Sequence, residues 1–91
     1  MTMDFEWDES KARANSKKHG VTFREATEAF GDELASAVSD PDHSQVEERF
    51  LLFGRSQGGE YLVVSFTERA ELIRIISARR MTTTERKAYE Q

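Results

Sequence analysis

The sequence predicts an α+β domain in which short N-terminal helices pack on an antiparallel meander β-sheet, followed by a C-terminal helix. Three apolar runs rich in Val, Ile, Leu and Phe lie between residues 49 and 78, joined by linkers of hairpin length. That is the pattern of consecutive antiparallel strands. Two Thr-x-x-Glu patterns, Thr22-Phe23-Arg24-Glu25 and Thr82-Thr83-Thr84-Glu85, mark helix starts, since each Thr hydroxyl and Glu carboxylate can satisfy an orphan amide of the first turn. The chain has 91 residues, enough for one modest core, so residues 1–91 read as a single domain.

Phe5-Glu6-Trp7 alternates apolar and acidic and reads as a very short strand. Asp8 is the N-cap of a helix from Glu9 to about Lys18, whose thin apolar side offers Ala12 and Ala14. Lys17, Lys18 and His19 fall in its last turn, and Gly20 suits the left-handed position beyond it. The second helix opens at Thr22, with Val21 and Ala26 as a hydrophobic staple and Phe23, Ala26, Ala29 and Phe30 on one face, and Gly31 ends it. Ala35 to Val38 reads as a short strand and Ser39-Asp40-Pro41-Asp42-His43-Ser44 as a turn. The three main strands are expected at 49–55, 61–67 and 72–78, with linkers at 56–60 and 68–71. The final helix runs from Thr82 to about Glu90. Helices packed on one face of such a sheet leave the other face to be covered or used.

Composition excludes several classes of function. Without cysteine there is no disulfide, thiolate nucleophile or Cys-ligated metal. The longest apolar run, Tyr61-Leu62-Val63-Val64, is far short of a membrane span. The start Met1-Thr2-Met3-Asp4 lacks the basic region of a signal peptide, so a cytoplasmic protein is expected. The net charge of −4 is unevenly spread. Residues 1–48 carry 12 acidic and 5 basic side chains, net −7, whereas residues 49–91 carry 5 acidic and 8 basic ones, net +3. Seven of those eight cations are Arg, whose planar fork suits phosphate. The split suggests an acidic surface for a basic partner and an Arg-rich surface for an anionic ligand.

Each Arg at 49, 55, 74, 79 and 80 interrupts or ends an apolar strand. By strict alternation Arg74 and Arg80 share one face and Arg79 the other. The ordinary role for Arg74 is a cross-strand carboxylate such as Glu48, Glu60 or Glu68. Several Arg on a sheet, with no metal cluster, also fit metal-independent phosphodiester cleavage. There the ribose 2′-OH attacks phosphorus, a base takes its proton, an acid protonates the leaving 5′-oxygen and cations stabilise the transition state. His19 or His43 is the candidate base and Tyr89 or a protonated His the candidate acid. Against these stand plainer roles: His19 as a helix-end residue, His43 solvated in its turn, Tyr89 as packing, Trp7 and Phe5 as core. A metal site from His43, Asp40 and Asp42 has too few good ligands, and no cofactor is expected.

The assembled segments resemble a known family. They are Phe5-Glu6-Trp7-Asp8, Asn15 with Lys18-His19-Gly20-Val21, Phe23-Arg24-Glu25-Ala26, Asp40-Pro41-Asp42-His43-Ser44, Glu47-Glu48-Arg49, Gly54-Arg55-Ser56, Thr67-Glu68-Arg69, Arg74-Ile75-Ile76-Ser77-Ala78-Arg79, Glu85-Arg86-Lys87 and Tyr89-Glu90. In this order and spacing, over almost the whole chain, they are similar to the BrnT toxins of bacterial type II toxin–antitoxin systems. The resemblance implies a RelE-like fold and a ribonuclease that inhibits translation. It also implies neutralisation by a BrnA-like ribbon–helix–helix antitoxin in a two-plus-two heterotetramer that meets operator DNA only through the antitoxin. Carried onto this chain, it points to His19, Arg55, Arg74, Arg79 and Tyr89 as catalytic residues. Lys18, Arg49, Arg69 and Arg80 would contact RNA.

Two other classes remain open on the sequence. One is a non-catalytic binding module of the same fold, holding an antitoxin-like or nucleic-acid partner. The other is a small structural domain whose Arg residues only form cross-strand ion pairs.

Overall fold

The computed structural model describes residues 3–43 and 47–91. A five-stranded sheet has the order β1-β5-β4-β3-β2, with β1 (Asp4–Glu6), β2 (Ser36–Ser39), β3 (Arg49–Arg55), β4 (Tyr61–Arg69) and β5 (Leu72–Arg80). Helices α1 (Glu9–His19) and α2 (Phe23–Ala29) precede β2, and α3 (Thr83–Tyr89) follows β5. The α+β class and the meander of β2 to β5 are as expected. β1 adds a correction: it pairs parallel with β5, so the sheet is mixed rather than wholly antiparallel. The chain passes through α1, α2 and the β2–β4 strands between them, a connection long enough for parallel pairing.

Local chemistry sets the helix ends. Asp8 accepts from the amides of Ser10 and Lys11, and Gly20 closes α1 at φ 69°. Thr22 accepts from the Glu25 amide. Thr82 and Glu85 form a complete capping box at α3. The apolar side expected of α1, Ala12 and Ala14, misjudges one residue. Ala14 is exposed, and the buried side chain is Asn15. Its amide nitrogen donates to the carbonyls of Val21 and Ala78, each at 2.9 Å, and its oxygen accepts from the Ala78 amide at 3.1 Å. One polar side chain thus ties α1 to β5 and to the start of α2.

The core lies between α1, α2 and one sheet face. Val21, Phe23, Ala26 and Ala29 meet Leu52, Leu62, Val64, Phe66, Ile75 and Ala78 there. Each large side chain among them contributes about 1.5–3 kcal/mol by leaving water. Four rings, Phe5, Phe30, Phe66 and Phe50, run in contact across it at centroid distances of 5.0–5.5 Å. Trp7 packs edge-on to Phe23 while its Nε1 donates to Glu9. Gly54 is required where α2 approaches β3, because a Cβ there would lie 2.7 Å from the Ala29 carbonyl oxygen.

Several boundaries differ from expectation, among them β5, which runs on to Arg80. Glu68 and Arg69 belong to β4, so the β4–β5 hairpin is a two-residue turn, with Ala70 at φ 53°. Ser39 ends β2, and Pro41–His43 form a short 3₁₀ turn. The Ser44 part of the expected turn, like Met1 and Thr2, lies outside the described residues.

Candidate active site

The sheet face opposite α1 and α2 carries the arginines. Directly opposed residues share a face, so the pairs Arg55 with Tyr61, Phe53 with Val63 and Arg49 with Thr67 place these side chains away from α1 and α2, on the face that α3 borders. On β5, Arg79 opposes Val63 and Arg74 opposes Thr67. Strict alternation would separate Arg74 from Arg79. A register shift between Ser65 and Phe66 leaves Ile76 as an extra residue in β5, so Ile75 and Ala78 both reach the core. The bulge reverses the alternation beyond it, and Arg74 and Arg79 end on the same face. Arg80 turns to the helix side instead.

At one end of the open face a polar cluster forms around Tyr61. The Arg55 guanidinium lies 5.2 Å from the centre of its ring and that of Arg86 lies 4.0 Å away. Tyr89 meets the same ring edge-on at 5.8 Å. The Tyr89 hydroxyl donates to Oδ2 of Asp32, which also accepts from the Arg55 backbone amide at 2.8 Å. Oδ1 of Asp32 accepts from the Leu34 amide at 3.0 Å. Burial pushes the Asp32 carboxyl up, but the hydrogen bonds from Tyr89 and from the Leu34 and Arg55 amides outweigh it, and the group sits below the usual carboxylate range. Burial, then the Asp32 carboxylate, pushes the Tyr89 phenol up to about 12. The pair therefore holds one proton on the phenol and one negative charge on the carboxylate at neutral pH.

The other sequence-predicted residues are distributed as follows. Arg79 forms a bidentate fork on Glu85, at 2.8 and 2.9 Å. That bond holds the Glu85 carboxyl down to about 2 and raises the Arg79 guanidinium. Arg74 pairs with Glu6 of β1 at 3.5 Å, not with the cross-strand carboxylates expected of it. Arg69 pairs with Glu47, and with Arg49 it lies at the far end of β4 from Tyr61. Six residues of strand separate those ends, about 20 Å. Arg80 pairs with Glu60 and donates to the His19 carbonyl at 2.9 Å. His19 and the exposed Lys18 end α1 in the helix layer, apart from Arg55, Arg79 and Tyr89. His43 is exposed and bonded to Asp40. No cluster of three or more metal-ligating side chains occurs among the described residues.

Arg55 thus differs from Arg74 and Arg79. It is exposed, and among the described residues it is in no ion pair. Sequence reasoning missed Asp32, Tyr61 and Arg86. Tyr61 was legible, since the five-residue linker 56–60 sets it opposite Arg55. Asp32 had no local signal, because its role comes from two partners more than twenty residues away.

This arrangement can bind phosphate at Arg55, stack or hydrogen-bond a nucleotide beside Tyr61, and present a phenolic proton from Tyr89. No described helix is long and apolar enough to cross a membrane.

Comparison with known proteins bears on the fold and the family. The structure superposes on the 1.1 Å crystal structure of the Brucella abortus ribonuclease toxin BrnT with a TM-score of 0.67 and 30% sequence identity, covering 90% of this chain and 100% of that one. No curated protein matches the sequence. A family model described as "Ribonuclease toxin, BrnT, of type II toxin-antitoxin system" matches residues 7–85. The chain belongs to the BrnT family of ribonuclease toxins of type II toxin–antitoxin systems.

Proposed function

We propose that this chain is a metal-independent endoribonuclease whose cleavage of RNA inhibits translation. Its site is the Arg55–Tyr61–Tyr89 end of the open face. The observation that carries the reading is Arg55: an exposed guanidinium within no ion pair among the described residues, 5.2 Å from the Tyr61 ring centre and within the field of the Asp32 carboxylate that holds Tyr89. Arg55 contacts the scissile phosphate and stabilises its growing charge. Tyr89 supplies the proton to the leaving 5′-oxygen once its hydroxyl exchanges the Asp32 carboxylate for that oxygen. Arg79 joins the phosphate once its fork on Glu85 opens, and Arg74, Arg49 and Arg69 guide the RNA backbone along the open face, while Arg80 and Lys18, on the helix side, meet only RNA that passes around the edge of the sheet. His19, the base expected from the sequence, ends α1 in the helix layer apart from this cluster, and it takes the 2′-hydroxyl proton only of RNA that reaches that layer. A BrnA-like ribbon–helix–helix antitoxin neutralises the toxin in a two-plus-two heterotetramer in the cytoplasm, and operator DNA is met only through that antitoxin.

One observation favours the second reading, a non-catalytic binding module: Arg74 and Arg79 are both occupied by carboxylates. Incubating total RNA with the purified chain in EDTA separates the two. Cleavage leaving cyclic-phosphate ends is expected, with a loss of roughly 100-fold in folded Arg55→Ala, the scale of losing one preorganised donor. His19→Ala reads whether that ring takes part. An intact RNA pool, together with normal growth on expression, would leave the binding module.

A further inference from the structure

We propose that the outer edge of β2, with the groove between β2 and α3, docks the antitoxin as an added β-strand. The strand it receives is apolar and flanked by Lys or Arg. This rests on the family reading of the chain as a toxin with a protein antitoxin.

The two edges of the sheet differ. β1 is three residues long, carries Asp4 and Glu6, and has Glu6 drawn onto Arg74. Short, charged strands are how sheets protect their edges. β2 reads Ser-Ala-Val-Ser: it has no charge and no proline, and all four residues are exposed. No strand among the described residues pairs with its outer side. Beside it runs a groove of about 500 Å³ bordered by Leu34, Val38, Phe53 and Ala88. Leu34 is 73% exposed and Val38 46%, so both are apolar surface left uncovered. A strand added to β2 would bond through its backbone and send alternate side chains into that groove.

Charge selects the occupant. Exposed Glu33 precedes β2 and exposed Asp42 follows it, within a half of the chain that is net −7. RNA phosphate is repelled there. A second copy pairing antiparallel along the same edge would set Glu33 of each copy towards Asp42 of the other, and like charges across strands oppose pairing. A segment with Lys or Arg at its ends meets both flanks favourably. Glu85 and Tyr89 also line the groove. They are the side chains that hold Arg79 and Asp32, so an occupant bears directly on α3 and the candidate site.

Hydrogen exchange of the co-purified complex with the cognate antitoxin tests this. The amides of Ala37 and Ser39, which face the outer edge because the Asp40 amide bonds inward to the Arg49 carbonyl, are expected to exchange at least tenfold more slowly than in the free chain. Unchanged exchange there, with protection elsewhere, overturns the proposal. Val38→Lys should remain toxic on expression yet escape antitoxin rescue, with affinity reduced tenfold or more. Leu34→Lys, at a more exposed position, repeats the test should Val38→Lys not fold. Neutralisation retained by a folded variant overturns the edge assignment while leaving the toxin reading intact. A wild-type chain that binds no antitoxin overturns both. A dimer of the chain alone, dissolved by Val38→Lys, makes a second copy the occupant and overturns the proposal.

Discussion

The Tyr89 hydroxyl donates to Asp32 across 57 residues of sequence, joining the last helix to the loop after α2. Burial and this carboxylate hold the Tyr89 phenol at about 12. A phenol raised above its unfolded value of 10.0 contributes stability below pH 10 that is lost as pH climbs towards 12. With two tyrosines in the chain, alkaline titration of tyrosinate absorbance should give a late transition near 12. Asp32→Asn should bring that transition down towards 10 and cost on the order of 1 kcal/mol at neutral pH. An unmoved late transition would show that Asp32 does not govern Tyr89.

The Arg79–Glu85 fork makes the opposite prediction at the acid end. Glu85 is held at about 2 against an ordinary 4.5. A carboxyl lowered in the folded state contributes stability above pH 4.5, lost as pH falls towards 2. Urea midpoints should drop across that window. Glu85→Gln should remove the part of the drop that Glu85 contributes, leaving that of Asp32 and Asp8, and cost about 1–2 kcal/mol at pH 7, since the same carboxylate caps α3.

Asn15 is buried and makes three hydrogen bonds to backbone groups. Replacing it with Ala or Leu strands the Ala78 amide and two carbonyls away from water, at about 2–3 kcal/mol. A melting temperature within a degree or two of wild type would show that water or a shifted α1 replaces those bonds.

Ala70 occupies a left-handed conformation, φ 53°, at the first position of the two-residue hairpin. A Cβ is unfavourable there, and glycine is the residue this turn prefers. Ala70→Gly should therefore stabilise the fold by up to about 1 kcal/mol, despite the greater freedom of glycine in the unfolded chain. Calorimetry of the two proteins checks the sign.

Local rules acted within a few residues, and there the sequence was informative. Asp8, Thr22, Gly20 and the Thr82–Glu85 box end their helices as their side chains require. The three main strands lie where apolar runs and hairpin linkers put them, and the set of motifs identified the family. The sequence by itself thus determined the elements, the meander and the kind of protein.

Only the tertiary structure decided which side chains meet. Strict alternation put Arg74 and Arg79 on different faces, but the bulge at Ile76 brings them to one, because burying both Ile75 and Ala78 outweighs regular pleating. Likewise β1 pairs parallel with β5 in a sheet expected to be antiparallel, and Asp32 found Tyr89 and Arg55. Those contacts depend on where distant segments are packed, and packing against a shared core is a property of the whole chain.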